Sequence, residues 1–279
     1  MSRGILVTGG TGKTGGRLVE VLNGQGALAI PAARSVPPGG IRFDWADPTS
    51  WSAALDEVGA VFLVAPPGIG DPAETMISFA ELAIDRGVER FVLLSGSPIE
   101  PGGPIVGKVH GWLQTSDVEW AVLRPSWFME NLSEGPHHPR TIRDERAIYT
   151  AAGHGRAAFI SAWDIARTAA HTLTSREAPN GDFILTGPEP LSYDDVARRL
   201  SSALGVKITH HPLTFDELVA RHMANGLTEI QGQTLAIMDL VIAEGAEDRV
   251  TFHVEELTQL HPVSFDQFVG ANVTTWSGP

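Results

Sequence analysis

The sequence predicts an α/β protein: a doubly wound parallel sheet with a smaller, mostly helical C-terminal lobe. Three observations support this fold class. Up to residue 125, short apolar runs alternate with helix-length amphipathic segments, as in a parallel sheet with crossover helices. Runs such as AVFLVA and RFVLLS are apolar on both faces, as expected for strands that are covered by helices on each side. The last third of the chain has a helical period instead.

The elements of the predicted sheet can be assigned in chain order. The strands are predicted at Ile5–Thr8, Ala27–Ala33, Ile41–Asp44, Ala60–Val64, Arg90–Ser95 and Val118–Arg124. The helices between them are predicted at Thr14–Asn23, Ser50–Val58, Ala73–Arg86 and Ile105–Gln114. Such crossovers are needed because a tight hairpin can join only antiparallel strands.

Past Pro125 this alternation ends. Residues 127–146 are irregular and rich in Pro, His and charge. The stretch RAIYTAAGHGRAAFI then predicts two short strands around a glycine turn, before a helix at Trp163–Leu173 and a strand in GDFILTG. Helices follow at Ser192–Leu204, Thr214–Met223, Glu229–Glu244 and Ser264–Val273, several opened by Ser or Thr before acidic residues. We expect a sheet domain of residues 1–125, to which 147–187 return, and a lobe of residues 126–146 and 188–279.

The composition excludes several classes of protein. The chain has no cysteine, which excludes disulfides, Cys-ligated metals and a catalytic thiol. Its 33 acidic and 20 basic side chains give a net charge of -13, and Lys13, Lys108 and Lys207 are not clustered, so nucleic acid is not an expected partner. No apolar run is long enough for a membrane span, and the N-terminus is unlike a signal peptide. We expect a cytoplasmic protein.

A glycine-rich turn, VTGGTGKTGG, follows the first strand and opens the first helix. Its GKT triplet is shared with P-loops, but that motif needs a glycine where this chain has Val7. Its glycines instead form a G-x-x-G-x-x-G loop, in which backbone N–H groups and the helix N-terminus can meet a pyrophosphate. The turn predicts a Rossmann-type sheet that binds a dinucleotide. Its predicted contacts are Gly9, Thr11, Gly12, Lys13, Thr14 and Gly15.

The end of the second strand indicates which dinucleotide is bound. NAD-specific sites usually place an acid there, but no acid lies between Ala27 and Gly40. Arg34 is suited to a 2′-phosphate, which a planar guanidinium matches with paired hydrogen bonds. The expected cofactor is therefore NADP(H). Asp44 and Trp45, after the third strand, flank the adenine in one interpretation, and the tryptophan packs in the core in the other.

The usual proton donor of carbonyl-reducing short-chain dehydrogenases, a Tyr-x-x-x-Lys pair, is missing. Tyr149 and Tyr193 are the only tyrosines, and neither has a lysine four residues on. Lys108 lies in the helix after the fifth strand, where it either binds the nicotinamide ribose and orients the ring or points into solvent. Hydride addition to a ketone creates an alkoxide that needs an acid, whereas an iminium ion yields a neutral amine and a quinone yields a weakly basic product. The sequence therefore favours an imine or iminium substrate, or a quinone.

The chain resembles the NmrA-like atypical short-chain dehydrogenases, and more narrowly the ergot-alkaloid agroclavine and festuclavine dehydrogenases. The resemblance runs nearly end to end. It is carried by VTGGTGKTGG, FDWAD, VFLVAPP, RGVERFVLLSGS, GKVHGWL, WAVLRPSWFMENLSE, IYTAAGHGRAAFISAWDIA, LTGPEPLSYDDVARRLSSALG and SFDQFVGAN. It implies an NADPH-dependent reductase that acts on a cyclic iminium formed from an amino aldehyde, with the glycine turn and Arg34 on the cofactor phosphates.

The resemblance also implies which strand ends line the nicotinamide or the substrate. These residues are Ala65, Pro66, Ser95, Pro125, Ser126 and Trp127. Phe128, Met129 and Glu130 follow in the same segment, and we interpret them as part of the substrate wall, with Glu130 able to stabilise a cationic iminium. Core packing is the other interpretation of the aromatic and Met residues.

Three further expectations concern metals, partners and alternative functions. The adjacent pairs at His137 and His210 lack the i, i+4 spacing with which a helix presents two ligands, so no metal is expected. A small molecule is the expected partner, and the oligomeric state is left open. A quinone or azo-dye reductase and a non-enzymatic NADP(H)-sensing regulator are the alternative functions.

Overall fold

The computed structural model describes residues 3–66, 70–135 and 137–277. The chain divides into two compact units. Unit 1 comprises Met1–Pro125, Ala162–Leu185 and His253–Leu260, and unit 2 comprises Ser126–Ser161, Thr186–Phe252 and His261–Pro279. Residues 147–161 thus lie in unit 2 rather than with the sheet domain, because both strands in this stretch pair with strands of unit 2.

Strands and helices are numbered in chain order. The strands are β1 Gly4–Thr8, β2 Ala29–Ala33, β3 Ile41–Arg42, β4 Val58–Val64, β5 Arg90–Leu94, β6 Glu119–Pro125, β7 Ala147–Thr150, β8 Arg156–Ala157, β9 Gly181–Leu185, β10 Leu191–Ser192 and β11 Thr209–Pro212. The helices are α1 Lys13–Gly24, α2 Trp51–Ala54, α3 Ala73–Asp85, α4 Gly107–Thr115, α5 His138–Arg140, α6 Ala162–Thr174, α7 Tyr193–Leu204, α8 Phe215–Ala224, α9 Glu229–Ala243, α10 His253–Thr258 and α11 Phe265–Trp276.

Unit 1 is built on a seven-stranded sheet with the strand order β3-β2-β1-β4-β5-β6-β9. Its strand pairs are parallel, and α1, α3 and α4 form the crossovers that parallel neighbours need. The strand order reverses between β1 and β4. Open α/β sheets bind ligands in the crevice at the carboxyl ends of the strands at such a switch point. The predicted Rossmann-type, doubly wound fold is confirmed.

The sheet is buried on both faces, and one polar side chain joins its two central strands. Leu6 and Leu63 belong to a large apolar cluster, which also contains the aromatic rings of Phe79 and Phe91. This residue is Thr8 at the end of β1, whose Oγ1 donates to the Phe62 carbonyl at 2.9 Å and accepts from the Val64 N–H at 2.8 Å. This bridge fixes the carboxyl ends of β1 and β4 where the glycine turn begins.

The predicted helix at Ser50–Val58 is wrong in extent. A 3₁₀ turn at Pro48–Ser50 leads into the four-residue α2, and Val58 already begins β4. The chain starts to turn early because the Asp47 carboxylate accepts the Thr49 N–H at 3.2 Å. The helix cannot continue to Val58 because Glu57 adopts a left-handed conformation, with φ of 57°, which a helix interior does not allow.

Unit 2 contains short strands and capped helices. β7 pairs in parallel with β11, and β8 pairs antiparallel with β10, so the two predicted strands around the glycine turn do not pair with each other. α7, α8, α9 and α11 each begin with a capping box, in which a Ser or Thr side chain and the side chain three residues on bond each other's backbone N–H. Ser and Thr residues at such positions were the signals from which the sequence predicted where several of these helices begin.

Four of the numbered elements were not predicted: β10, β11, α5 and α10. β11 contains two histidines and a proline, which are weak strand formers, and pairing with β7 stabilises it. α10 has only six residues, too few to show a helical period. A search of the described residues for a helix that could cross a membrane found no candidate.

Candidate functional site

The glycine turn lies at the switch point of the unit 1 sheet, between β1 and α1. Gly9 has a φ of 64°, and its carbonyl accepts the Gly12 N–H at 2.8 Å. A Cβ on Gly15 would lie 2.2 Å from the Gly9 carbonyl oxygen, and one on Gly10 would lie 2.8 Å from the Pro31 Cα. Glycine is therefore required at both positions, so that the backbone can turn tightly against β2 and into α1.

This turn leaves the start of α1 suited to an anion. The N-cap is Gly12, which has no side chain to accept the first N–H groups of the helix. Thr11 and Gly12 are exposed, Lys13 is half-buried and Thr14 is buried. Backbone N–H groups at a helix N-terminus, together with the helix dipole, favour a phosphate at this position.

Arg34 follows β2 directly and is exposed. Within the described residues it has no hydrogen bond or ion pair, so its guanidinium is available for a ligand. Gly10, whose N–H donates to the Ala32 carbonyl at 3.1 Å, links the glycine turn to the same strand end. A 2′-phosphate and a pyrophosphate could thus be held by neighbouring strand ends.

The two residues after β3 differ in their surroundings. The half-buried Asp44 accepts the Ala46 N–H through its carboxylate at 3.0 Å and the Trp51 indole N–H through its carbonyl at 3.0 Å. Trp45 is buried, and its ring makes edge contacts with Phe43 and Phe79. Of the two interpretations of Trp45, core packing describes the structure, because an aromatic cluster fills the space beside β3.

The residues of unit 1 that were predicted to line the nicotinamide lie at the carboxyl ends of β4, β5 and β6. Ala65 is half-buried and Pro66 is buried directly after β4, and Pro125 ends β6. Ser95 follows β5, and its buried Oγ has no hydrogen-bond partner among the described residues. Such an orphaned hydroxyl is rare in a folded protein and fits a polar ligand group at this strand end. Ser95 and the glycine turn both fit a bound dinucleotide.

A buried arginine, which the sequence analysis missed, shapes the same end of the sheet. Arg124 on β6 donates to Asp182 at 2.7 Å and to the Ser97 carbonyl at 2.8 Å, and it also contacts Glu100. Burial opposes its charge, but hydrogen bonds with Glu100 and Asp182 raise its pKa, so it remains charged. Arg124 ties the loop after Ser95 to β6 and β9. The sequence signal that could have identified Arg124 is its position within an otherwise apolar strand, where arginine is uncommon.

Lys108 lies in the first turn of α4 and forms an ion pair with Asp71, with both side chains about half exposed. The hydrogen bond from Lys108 lowers the pKa of Asp71. At this half-exposed position the Lys108 ammonium contacts the Asp71 carboxylate, and its role at the nicotinamide ribose stays a prediction. Binding a ribose hydroxyl would require Lys108 to share or leave that contact. His110, two residues on, is buried.

The predicted substrate segment, residues 126–130, belongs to unit 2. Some of its side chains are buried, and others are partly exposed. Ser126 donates to the Ala158 carbonyl, and Met129 is fully buried. Glu130 is 2% exposed and accepts from Ser161 at 3.1 Å. Trp127 and Phe128 are half-buried, and they are the side chains of this segment best able to contact a ligand.

The histidines of the two adjacent pairs contact other side chains. A search of the described residues found no group of three or more His, Asp or Glu side chains that could hold a metal ion. His210 instead bonds Thr150 through Nε2 at 2.8 Å and Asp194 through Nδ1 at 3.2 Å, and the ring of His137 lies against that of His222.

A family model described as "NAD(P)H-binding" matches residues 9–176, which is more than half of the chain. Curated relatives match nearly the whole chain. Agroclavine dehydrogenase of Claviceps fusiformis is 41% identical, covering 98% of each chain. Festuclavine dehydrogenase of Aspergillus fumigatus is 38% identical, also with 98% of each chain covered. An uncharacterised oxidoreductase of Bacillus subtilis is 36% identical, covering 98% of this chain and 96% of the relative.

Solved structures with low sequence identity have the same fold. The triphenylmethane reductase of Citrobacter sp. in complex with NADP(H) is 21% identical, with a TM-score of 0.81 over 96% of this chain and 99% of that one. The NADPH-dependent quinone oxidoreductase of Escherichia coli in complex with NADPH is 20% identical, with a TM-score of 0.83 over the same shares. At these identities the likeness describes the fold.

Proposed function

This chain belongs to the NAD(P)H-binding family, and on that premise we propose that it is an NADPH-dependent reductase that transfers hydride to an imine or iminium ion. Family membership makes it an NAD(P)H-dependent oxidoreductase. The finer proposal is carried by its similarity, over nearly its whole length, to agroclavine dehydrogenase and festuclavine dehydrogenase. The substrate class we propose is a cyclic iminium.

The absence of the usual tyrosine–lysine pair supports this choice of acceptor. Neither Tyr149 nor Tyr193 has a lysine four residues on. A ketone reductase needs a proton donor for the alkoxide that it creates. An iminium ion becomes a neutral amine when it accepts hydride, so the missing donor is no obstacle to its reduction.

Each group on unit 1 has a proposed role toward the cofactor, which supplies the hydride when bound. The glycine turn and the first N–H groups of α1 bind the pyrophosphate. Arg34 binds the 2′-phosphate, which favours NADPH over NADH. Ser95 donates or accepts a hydrogen bond at the nicotinamide end, and Lys108 binds the ribose there after sharing its contact with Asp71. Trp127 and Phe128 line the substrate.

The experiment measures which acceptor oxidises NADPH. Purified protein is given NADPH and a cyclic iminium, a quinone or no acceptor, and the near-ultraviolet absorbance of NADPH is followed. We expect kcat/KM for iminium ions to exceed that for quinones by at least about tenfold, or about 1.4 kcal/mol of transition-state stabilisation. NADPH deuterated at the transferred position should place deuterium on the former imine carbon.

The alternatives give different results in the same assay. A quinone or azo-dye reductase would oxidise NADPH with quinones or azo dyes and leave iminium ions unreduced. This alternative also needs no strong proton donor, because a reduced quinone is weakly basic. An NADP(H)-sensing regulator would bind NADPH tightly, by fluorescence, and turn over none of the acceptors. Either result would contradict the proposed function.

A further inference from the structure

Unit 2 contains a recess, lined mainly by basic side chains, that the proposed function does not use. It lies between residues 137–149 and α8, and we call it the basic recess. Its empty space is about 310 Å³ with open solvent included, and water-sized groups can occupy about 20 Å³ of it, more than one water needs. A small ion or a single charged group therefore has both room and access. The chemistry of the recess depends on His137, Arg140, Tyr149, Arg221, His222 and Asn225.

Two arginines of the basic recess are held in place by their neighbours. The Arg221 guanidinium lies over the Tyr149 ring, 3.5 Å from the ring centre, and donates to Glu145 Oε2 at 2.5 Å. Arg140 donates to Glu145 Oε1 at 3.3 Å and to Asn225 Oδ1 at 2.5 Å. The Asn225 amide in turn donates to the Arg221 carbonyl at 2.7 Å. Because these contacts already fix both side chains, an anion that binds here orders little that is free.

These contacts leave positive charge and hydrogen-bond donors unused. Burial raises the pKa of Glu145, but hydrogen bonds from Arg221 and Tyr149 outweigh it and lower the pKa, so Glu145 is ionised at neutral pH. One carboxylate between two guanidiniums leaves one positive charge. Each guanidinium has five N–H donors, and in the described part of the chain Nε and Nη1 of Arg221 and Nε of Arg140 have no hydrogen-bond acceptor. Such planar donors match the oxygens of an oxyanion.

Two histidines of the basic recess face each other. The rings of His137 and His222 meet edge to face, with their centres 5.4 Å apart, and both residues are half-buried. Neither imidazole has a hydrogen bond or an ion pair within residues 3–66, 70–135 and 137–277. Burial lowers the pKa of both histidines; the Arg140 charge lowers that of His137 further, and the charges of His137 and Arg221 lower that of His222. Both are therefore neutral at pH 7.

We propose that the basic recess binds a small oxyanion, a carboxylate or a phosphate-type group, with Arg140 and Arg221 as its donors and with His137 and His222 taking up a proton when it binds. The arginines supply the charge at neutral pH. A bound anion favours the imidazolium form of a histidine beside it, because opposite charges stabilise each other. Anion binding should therefore strengthen as the pH falls through the range in which histidine titrates. The proposal does not require the reductase activity.

The groups around the two histidines do not replace the anion. His138 also lines the recess, and its ring lies against that of Tyr193 at 6.1 Å between centres. α9 approaches His222 with the uncharged Gly232, where an added Cβ would lie 3.3 Å from the His222 Cβ. Both oxygens of Glu145 already accept from the arginines. An added oxyanion is therefore the acidic partner that an imidazolium would gain here.

The test follows the assigned histidine ring signals of the full-length protein by NMR while an anion is added. Sulfate represents a phosphate-type group and trifluoroacetate a carboxylate, and both keep their charge between pH 5.5 and pH 7.5. NADP⁺ is present in excess and sodium chloride holds the ionic strength constant, so that binding at the glycine turn and general screening do not contribute. The signals of His137 and His222 should shift. The affinity should rise about tenfold from pH 7.5 to pH 5.5, which corresponds to a rise of one unit in a histidine pKa on binding.

Matched variants separate the roles of the arginines and the histidines. Arg140→Gln should weaken anion binding by about tenfold at both pH values, because a charged hydrogen bond is lost. His222→Gln should leave the affinity at pH 7.5 nearly unchanged and remove most of the gain at pH 5.5. The control is His154→Gln, which removes a histidine of unit 2 whose side chain is 93% exposed, and it should change neither value. Circular dichroism shows whether each variant is folded.

The two anions also identify the ligand class. Tighter binding of trifluoroacetate would assign the site to a carboxylate, and tighter binding of sulfate would assign it to a phosphate-type group; either result supports the proposal. If neither anion shifts the signals of His137 and His222 at either pH, the proposal is wrong. An affinity that is equal at both pH values, or unchanged in a folded Arg140→Gln protein, would also overturn it. None of these outcomes depends on whether the protein reduces an iminium ion.

Discussion

Arg34 and Lys108 are two cationic side chains proposed to bind the cofactor, and their surroundings differ. Lys108 already contacts the Asp71 carboxylate, whereas Arg34 has no acidic partner within the described residues. A phosphate that approaches Lys108 must compete with a carboxylate, but one that approaches Arg34 meets the full guanidinium charge. The selectivity for NADPH over NADH should therefore depend mainly on Arg34.

Arg34→Ala should weaken NADPH binding by about tenfold, at the low end for a charged hydrogen bond because the side chain is exposed. The Kd for NADH should change much less, since NADH has no 2′-phosphate. Fluorescence titration of both cofactors measures the two constants. Arg143→Ala, which removes an exposed arginine of unit 2, is the control and should alter neither Kd. Equal weakening of NADPH and NADH would show that Arg34 does not contact the 2′-phosphate.

For single residues, the sequence predicts the chemical role of a side chain better than it predicts which other side chains surround it. The glycines and Arg34 could be assigned because their roles depend on local backbone and on position after a strand. Whether Trp45 packs in the core or lines a site depends on Phe79, which is 34 positions away in the sequence and not recognisable as its neighbour. The burial of Asp239 on α9 was missed for the same reason, because an acid on a helix is normally solvated and only the fold shows that this one is buried.

Among the elements, the glycine turn has the strictest steric requirement. The added Cβ of Gly15→Ala would lie 2.2 Å from the Gly9 oxygen, so the backbone would have to shift at the phosphate-binding position. We expect this variant to bind NADPH at least about tenfold more weakly, as measured by calorimetry. The control is Gly24→Ala at the other end of α1, where a Cβ meets nothing within 4 Å.

The control should bind NADPH normally and unfold at a slightly higher temperature, because alanine favours a helix over glycine by up to about 1 kcal/mol. Circular dichroism shows whether both variants are folded. A folded Gly15→Ala protein with the wild-type Kd would contradict the assignment of this turn to the pyrophosphate.

Elements with local signals were predicted well, and elements that depend on distant partners were not. The capping boxes of α7, α8, α9 and α11 are each contained within four residues, so the sequence marks their start. β11 exists because β7 pairs with it across about 60 residues, which no local pattern reveals. The two strands around the glycine turn were found, but their partners were not.

For the molecule as a whole, binding an anionic cofactor opposes a net charge of -13. Local groups must outweigh this repulsion, and those available on unit 1 are the N–H groups of the glycine turn, Arg34 and Lys108.

Cofactor binding should therefore stabilise the folded chain, and by more for NADPH than for NADH. A ligand that binds only the folded state at 100 times its Kd adds about 2.7 kcal/mol. For a chain of this size, each kcal/mol raises the midpoint by roughly 2–4 °C, so we expect a rise of about 5–10 °C with NADPH in scanning calorimetry. NADH at the same concentration should give a smaller rise, because it lacks the phosphate that Arg34 binds. Equal rises would contradict NADPH selectivity, and no rise with either cofactor would contradict the assigned site.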